Sequence, residues 1–203
     1  MLKLYQSPNS PFVRKVLVTA IELGLDERIE RIAATPHPIR RNMELVALNP
    51  LGQIPTLVTQ DGGVISDSRA ICEYLASLVP GQKIFPAGPR RWRALTEQSI
   101  CDGLLAACLS IRYERSTRPE TLQSQEWIQG QMARIESVLD ELDRRWQSPP
   151  DGFDIGHVSV ACSIGYLAFR FPEIALAPRW SNLSRWWETA GQKPAFQATI
   201  PPG

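Results

Sequence analysis

The sequence predicts two architectures in series, a small α/β domain followed by an all-helical one, and three observations carry this. Residues 2–78 alternate short strand-like and helix-like stretches. Residues 79–89 then gather Pro80-Gly81, Pro86 and Gly88-Pro89, the punctuation of a linker. Beyond them no convincing strand follows, and apolar residues recur at helical spacing.

Leu2 to Gln6 reads as a strand. Phe12 to Leu23 reads as a helix that Gly24 can close, because glycine takes the left-handed cap conformation without a Cβ clash. Arg28 to Ala33 alternates apolar and charged residues, as a half-buried strand does. Pro36 to Val46 is weakly patterned and predicts an irregular short helix. Thr56 to Thr59 and Gly63 to Ile65 flank Asp61-Gly62, a hairpin signal. Asp67 to Leu78 is a helix with Ile71, Tyr74, Leu75 and Leu78 on one face. This βαβ then ββα order is that of a thioredoxin-like sandwich.

In the second half, Pro89 to Tyr113 predicts one long helix and Glu120 to Trp146 another. Ile128, Met132, Ile135, Leu139, Leu142 and Trp146 form a continuous stripe on the latter. Asp154 suits the N-cap of a nearly uncharged helix, Ile155 to Phe169, with the composition of a buried central element. Trp180 to Ala190 gives the last helix. The expected boundaries are 1–78 for the α/β domain, 79–88 for the linker and 89–203 for the helical domain.

The chain has 203 residues, enough for one large or two small domains with ample core. Its 22 basic and 21 acidic residues nearly balance, so no global field points to nucleic acid or an anionic membrane as partner. No apolar run is long enough to span a membrane. Met1-Leu2-Lys3-Leu4-Tyr5 runs straight into a strand without a signal peptide's apolar stretch, so the cytoplasm is the expected compartment. Cys72, Cys101, Cys108 and Cys162 fall in apolar helical stretches without C-x-x-C spacing and read as buried, reduced thiols. With two histidines far apart, a metal site has little material.

Three stretches carry candidate chemistry. In Asn49-Pro50-Leu51-Gly52-Gln53-Ile54-Pro55-Thr56-Leu57-Val58, an aliphatic residue precedes a proline that opens a strand. That places a backbone N–H and C=O at a sheet edge, where an extended ligand can pair like one more strand. Ser66-Asp67-Ser68 opens an apolar helix, whose free N–H groups and side chains can grip a charged head group. Ser10-Pro11-Phe12 falls where the first strand ends and the first helix begins, a place for a hydroxyl to meet a reactive atom.

As a set, these motifs and the helical second half resemble the cytosolic glutathione transferase family. The resemblance spans the chain and includes Phe153-Asp154-Ile155 and the closing Lys193-Pro194-Ala195-Phe196. Ser10-Pro11-Phe12-Val13-Arg14-Lys15-Val16 is similar to the serine-type motif of plant-like and bacterial members.

The resemblance implies glutathione as co-substrate. Ile54 would pair its backbone with the cysteinyl part, held open by a cis peptide to Pro55. Asp67 and Ser68 would hold the γ-glutamyl ammonium and carboxylate, with Ser66 as the pure cap. Gln53 would donate to the glycyl carboxylate. The basic residue usual at that end has candidates in His37, Arg40 and Arg41, though Thr35-Pro36-His37-Pro38 fits the family spacing poorly.

Ser10 would hold the thiolate. Free cysteine thiols titrate near pH ~8.5, and lowering that by about two units requires roughly 2.7 kcal/mol. One hydrogen bond to a charged group supplies about 1.5–3 kcal/mol. Ser10 is thus a donor rather than a nucleophile, since no histidine neighbour is in evidence to deprotonate it. Ser7 is the competing position and Tyr5 a weaker one; a plain N-cap before Pro11 is the alternative reading of Ser10. Arg14 and Lys15 read as helix-surface or interface residues.

The position equivalent to Ser10 is a cysteine in members that work by mixed disulfides, which argues against a thiol transferase. Leu105, Leu109, Arg112, Tyr113 and Tyr166 are the expected lining for a second, hydrophobic substrate, with plain core as the alternative. The implied reaction is attack of glutathione thiolate on a hydrophobic electrophile by a homodimer. A non-catalytic binding module and a glutathione-dependent isomerase or reductase stay open. The Ser-Ser-Cys-Ser motif of maleyl-type isomerases reads Ser7-Pro8-Asn9-Ser10 here.

Overall fold

The structure, a computed structural model, describes residues 1–202. In chain order the elements are β1 (Leu2–Gln6), α1 (Pro11–Glu22), β2 (Ile29–Ala33), α2 (Met43–Leu48), β3 (Thr56–Val58), β4 (Val64–Ile65) and α3 (Ser68–Ser77). Then come α4 (Pro89–Thr117), α5 (Gln125–Arg145), α6 (Ile155–Arg170), α7 (Ser181–Ala190) and α8 (Pro194–Gln197). The chain divides into two units, Met1–Arg91 joined by residues 194–202, and Trp92–Lys193.

The first unit is the thioredoxin-like sandwich. Its sheet runs in the order β2-β1-β3-β4, with β1 parallel to β2 and antiparallel to β3, and β3 antiparallel to β4. Leu2 and Leu4 of β1 are buried while Lys3 between them is exposed, the period-two pattern of a strand packed on one face. Helices α1 and α3 pack together, burying Val13, Val16 and Leu17 of one and Ile71, Cys72 and Leu75 of the other. Gly24 (φ +68°) ends α1 as expected. The Asp61-Gly62 hairpin is closed by Thr59, whose N–H donates to the Gly63 carbonyl at 2.8 Å.

Several expectations change. The strand beginning at Thr56 is interior to the sheet, not at its edge. Within 36–46 only the last residues are helical, because Asn42 caps α2 by accepting from Leu45 N–H. The long helix α4 continues to Thr117, and Pro119 with a 3-10 turn at Glu120–Leu122 delays α5 until Gln125, capped by Ser124. On α5, Met132 of the expected stripe is half-buried, while Gln131 is buried beside Ile128, Ile135, Leu139 and Leu142.

Arg14 and Lys15 are not surface residues: they are 6% and 0% exposed. Arg14 Nη2 donates to the Phe196 carbonyl at 3.0 Å and Nε to Thr199 Oγ1 at 3.3 Å. Its guanidinium also lies over the Phe196 ring. This pairing explains why residues 194–202 belong to the first unit, a difference from the expected 89–203 boundary.

The second unit is all-helical around α6, whose residues Ile155 to Leu167 are buried throughout. Asp154 caps it with a reciprocal box: its carboxylate accepts from the N–H groups of Gly156 and His157, while the Asp154 N–H donates to the His157 ring. Arg93 of α4 joins Asp154 to the buried Glu97. A methyl group on Gly156 would meet the Ala94 backbone at 3.2 Å, so this glycine lets α6 lie close against α4. Cys72, Cys101, Cys108 and Cys162 are buried and unbridged; burial pushes the Cys108 thiol up to about 12.

Two of these buried carboxyls respond to pH in opposite senses. Burial, outweighing Arg93, raises Glu97 above its ordinary 4.5. Asp154 is pushed up by burial but pulled down further by His157 and Arg93, so it lies below its ordinary 3.8. The Glu97 contribution to stability is full below pH 4.5 and is lost as pH rises through its raised midpoint. That of Asp154 is present above pH 3.8 and is lost as pH falls through its depressed midpoint. Thermal melts of Glu97→Gln should therefore show a flatter loss of stability than wild type as pH rises from 4.5 toward neutrality. An identical slope in both proteins would contradict this account.

Candidate functional site

The sheet register gathers the three candidate motifs at one end of the first unit. β1 pairs antiparallel with β3, Tyr5 opposite Thr56, so the C-terminal end of β1 and the N-terminal end of β3 coincide. Ile65 lies opposite Leu57, which brings the end of β4 to the same place. Ser7 to Ser10, Gln53 to Pro55 and Ser66 to Ser68 all emerge there.

The Ile54–Pro55 bond is cis. Ile54 precedes the ladder in irregular backbone, and among the described residues no backbone group of the chain pairs with its N–H or C=O. The loop before it is built by Asn49, which is buried. Its amide nitrogen donates to the Gln53 carbonyl at 3.2 Å and to Thr56 Oγ1 at 3.0 Å, while its Oδ1 accepts from Leu51 N–H at 3.1 Å. The role of Asn49 is not apparent from the motif alone, where the available signal is an asparagine opening a Pro-x-Gly turn. Gln53 is exposed.

Arg41, one of three weakly placed basic candidates, donates to the Pro50 carbonyl at 2.5 Å. Its guanidinium thus sits against the Asn49–Gln53 loop. His37 and Arg40 instead form a local cluster, in which His37 Nδ1 accepts from the N–H groups of Ile39 and Arg40.

Asp67, not Ser66, is the N-cap of α3. Its Oδ1 accepts from Arg69 N–H at 2.8 Å. The other carboxylate oxygen takes hydrogen bonds from the Arg69 guanidinium at 3.0 and 3.2 Å. Partial burial pushes the Asp67 carboxyl up, but the hydrogen bonds and charge of Arg69 outweigh it and leave it below its ordinary value. Arg69 was missed in the sequence because a residue two positions into a helix reads as solvated surface. Ser68 is buried at the first helical position.

Ser10 is the N-cap of α1, in extended backbone, with Oγ accepting from Val13 N–H at 3.3 Å. Capping uses a lone pair and leaves the hydroxyl proton to donate elsewhere. Pro11 occupies the first helical position, where its missing N–H costs nothing. No acidic residue lies in that first turn, so the positive end of the helix is not offset locally.

In the second unit, the residues offered for a hydrophobic substrate divide. Leu105 and Tyr166 are core, Tyr166 being 2% exposed. Leu109 and Tyr113 are half-buried and Arg112 is exposed. Burial raises the Tyr166 ionisation, with Arg112 pulling the other way. Among the described residues no helix is long and apolar enough to cross a membrane.

Comparison with known proteins shows what the whole chain is similar to. Residues 9–78 match the profile of the glutathione S-transferase N-terminal domain, and residues 125–188 that of its C-terminal domain. A glutathione-transferase-like protein of Escherichia coli K12, YibF, is 29% identical over 99% of both chains. Glutathione S-transferase 3 of Zea mays is 29% identical over 98% of this chain and 93% of its own. A solved glutathione transferase family member from Pseudomonas fluorescens Pf-5, with bound glutathione, is 36% identical over the whole of both chains and superposes with a TM-score of 0.94. A structure from the same strain with bound S-(propanoic acid)-glutathione gives 35% and 0.89, again over both whole chains. With both domain profiles matched and a relative 36% identical over its whole length, this chain belongs to the glutathione transferase family.

Proposed function

We propose that this protein is a serine-type glutathione transferase that conjugates glutathione to a hydrophobic electrophile. The observation that carries the reading is the meeting at one sheet end of the Ile54 backbone, which pairs with no backbone group among the described residues, the Ser10 hydroxyl and the Asp67-Ser68 helix start. An extended tripeptide needs all three: an in-line backbone partner, a donor at its sulfur, and a charged grip at its amino end.

In this reading Ile54 pairs with the cysteinyl unit. Asp67 takes the γ-glutamyl ammonium, exchanging part of its bond with Arg69. Ser68 and the first N–H groups of α3 receive the γ-glutamyl carboxylate. Gln53, with Arg41 at the same loop, receives the glycyl carboxylate. Ser10 donates to the sulfur and favours the thiolate; the thiol proton leaves to water. The thiolate electron pair then forms a C–S bond to the electrophile. In a substitution the leaving group departs with its bonding pair, and in an addition the resulting carbanion takes a proton from solvent. The thioether bound by the Pseudomonas relative, S-(propanoic acid)-glutathione, is a product-like compound of this type.

The direct test is turnover of an aryl halide with glutathione, paired with calorimetry of glutathione and S-hexylglutathione. A catalyst with a hydrophobic second site conjugates the halide and binds S-hexylglutathione more tightly than glutathione. A binding module does neither. Asp67→Ala should raise KM for glutathione by about tenfold or more, the loss of a charge-assisted bond, with kcat little changed. A wild-type KM in that variant would remove Asp67 from the site. We also propose a homodimer, supported by the exposed Ile39, Met43 and Leu51 of the first unit, and read out as mass by sedimentation.

A further inference from the structure

Two arginines of the second unit stand together without a counter-charge. Arg112 lies on α4, one turn after the buried Cys108. Arg170 is the last residue of α6, one turn after the buried Tyr166. The acids close to them in sequence are already taken: Glu114 pairs with Arg118, and Glu173 with Arg115. Among the described residues no carboxylate comes within ion-pair distance of Arg112 or Arg170.

The two charges converge on one place. Burial raises the Tyr166 ionisation and both Arg112 and Arg170 pull it down, so both guanidinium groups lie within electrostatic reach of one phenol oxygen. Tyr166 is 2% exposed and out of a ligand's reach, whereas Arg112 is exposed. The phenol therefore stands behind the guanidinium. Its hydroxyl makes no full hydrogen bond, so the N–H donors of Arg112 stay open on the outer side.

Arg170 is held differently. Its guanidinium lies 3.8 Å from the centroid of the Phe169 ring, a stacking that fixes its plane. The negative end of the α6 dipole offsets part of its charge. Arg112, more than a turn before the end of α4, is the stronger receptor for an anion. Leu109 and Tyr113, one turn apart on α4 and half-buried, flank it with apolar surface. A fork of donors beside apolar surface suits a carboxylate carried on an aromatic or aliphatic body.

We propose that this part of the second unit is a binding site for apolar carboxylates, with Arg112 as the contact, Arg170 as the supporting charge and Tyr166 as a positioning residue. The site lies wholly within the Trp92–Lys193 unit and does not depend on the transferase reading.

The experiment is calorimetry at neutral pH with naphthoate and with naphthamide, its neutral counterpart of the same shape. Wild type should bind naphthoate about tenfold more tightly, the lower end for hydrogen bonds to a charged group because Arg112 is exposed. Arg112→Gln should bring the two affinities together by weakening naphthoate alone, and Arg112→Glu should invert them. Arg112→Lys keeps the charge without the fork and should retain part of the preference. Tyr166→Phe keeps the ring and should lower the preference about two- to threefold with naphthamide affinity unmoved, a split that loosened packing would not give. Arg41→Gln, in the other unit, should change nothing. Equal affinities in wild type would overturn the site, as would no binding of either probe. So would a preference that survives both Arg112→Gln and Arg112→Glu, or one that disappears in Arg41→Gln. Glutathione affinity, measured alongside, reports on the transferase reading separately, and its absence would leave the naphthoate result to stand or fall by itself.

Discussion

Ser10→Gly should lower kcat/KM for conjugation by roughly 10- to 150-fold, the loss of one hydrogen bond to a charged sulfur. The ionisation midpoint of bound glutathione should rise with it, by about one to two units. Glycine is the informative replacement, because it caps a helix nearly as well as serine, costing only a few tenths of a kcal/mol against about 1 for alanine. Its effect therefore reports the hydroxyl rather than the start of α1. Ser10→Thr, which keeps a hydroxyl on the same backbone, should retain most activity. KM for glutathione should move little, since the tripeptide's ends are held elsewhere. Wild-type turnover in Ser10→Gly would transfer the role to Ser7, whose alanine variant is the next measurement.

Asp154→Ala should be the most damaging single change to stability, by about 3–5 kcal/mol. Three losses coincide. The N–H groups of Gly156 and His157 lose their acceptor at the start of a buried helix. Arg93 keeps only Glu97, and Glu97, 1% exposed, loses the arrangement that shares Arg93 with Asp154. In a chain of this size about 1 kcal/mol shifts Tm by roughly 2–4 °C, so calorimetry should find Tm lowered by about 10 °C. Asp154→Asn keeps a capping oxygen and should recover part of the loss. A shift in Asp154→Ala no larger than that of a surface substitution would show that the box contributes little.

What was legible in the sequence is what is encoded over a few residues. The stripe on α5 follows the helical period, Gly24 and Asp61-Gly62 are turn chemistry, and Asp154 stands before an apolar run. The same holds for the site: Pro55, Asp67 and Ser10 each mark a local change of backbone. What was hidden depends on distant partners. Arg14 looks like any charged residue on a helix until Phe196, 182 positions later, comes to meet it. That β3 lies inside the sheet follows from the order of strands, which alternation within one strand does not contain. Arg69 was unreadable, and Arg41 legible only as one of three basic candidates, for a related reason: a long flexible side chain in a charged neighbourhood has many partners in reach, and only the folded backbone selects among them.

The Arg14 pairing also has a bearing on biosynthesis. Sheet, α1 and α3 leave the ribosome before any of the Trp92–Lys193 unit, and residues 194–202 only after all of it. At ordinary elongation rates of about 5–20 residues per second, the nascent first unit waits on the order of ten seconds for its last strut. A polysome that stalls in that interval carries a glutathione-site scaffold whose sheet is complete but whose first helix is still missing its brace.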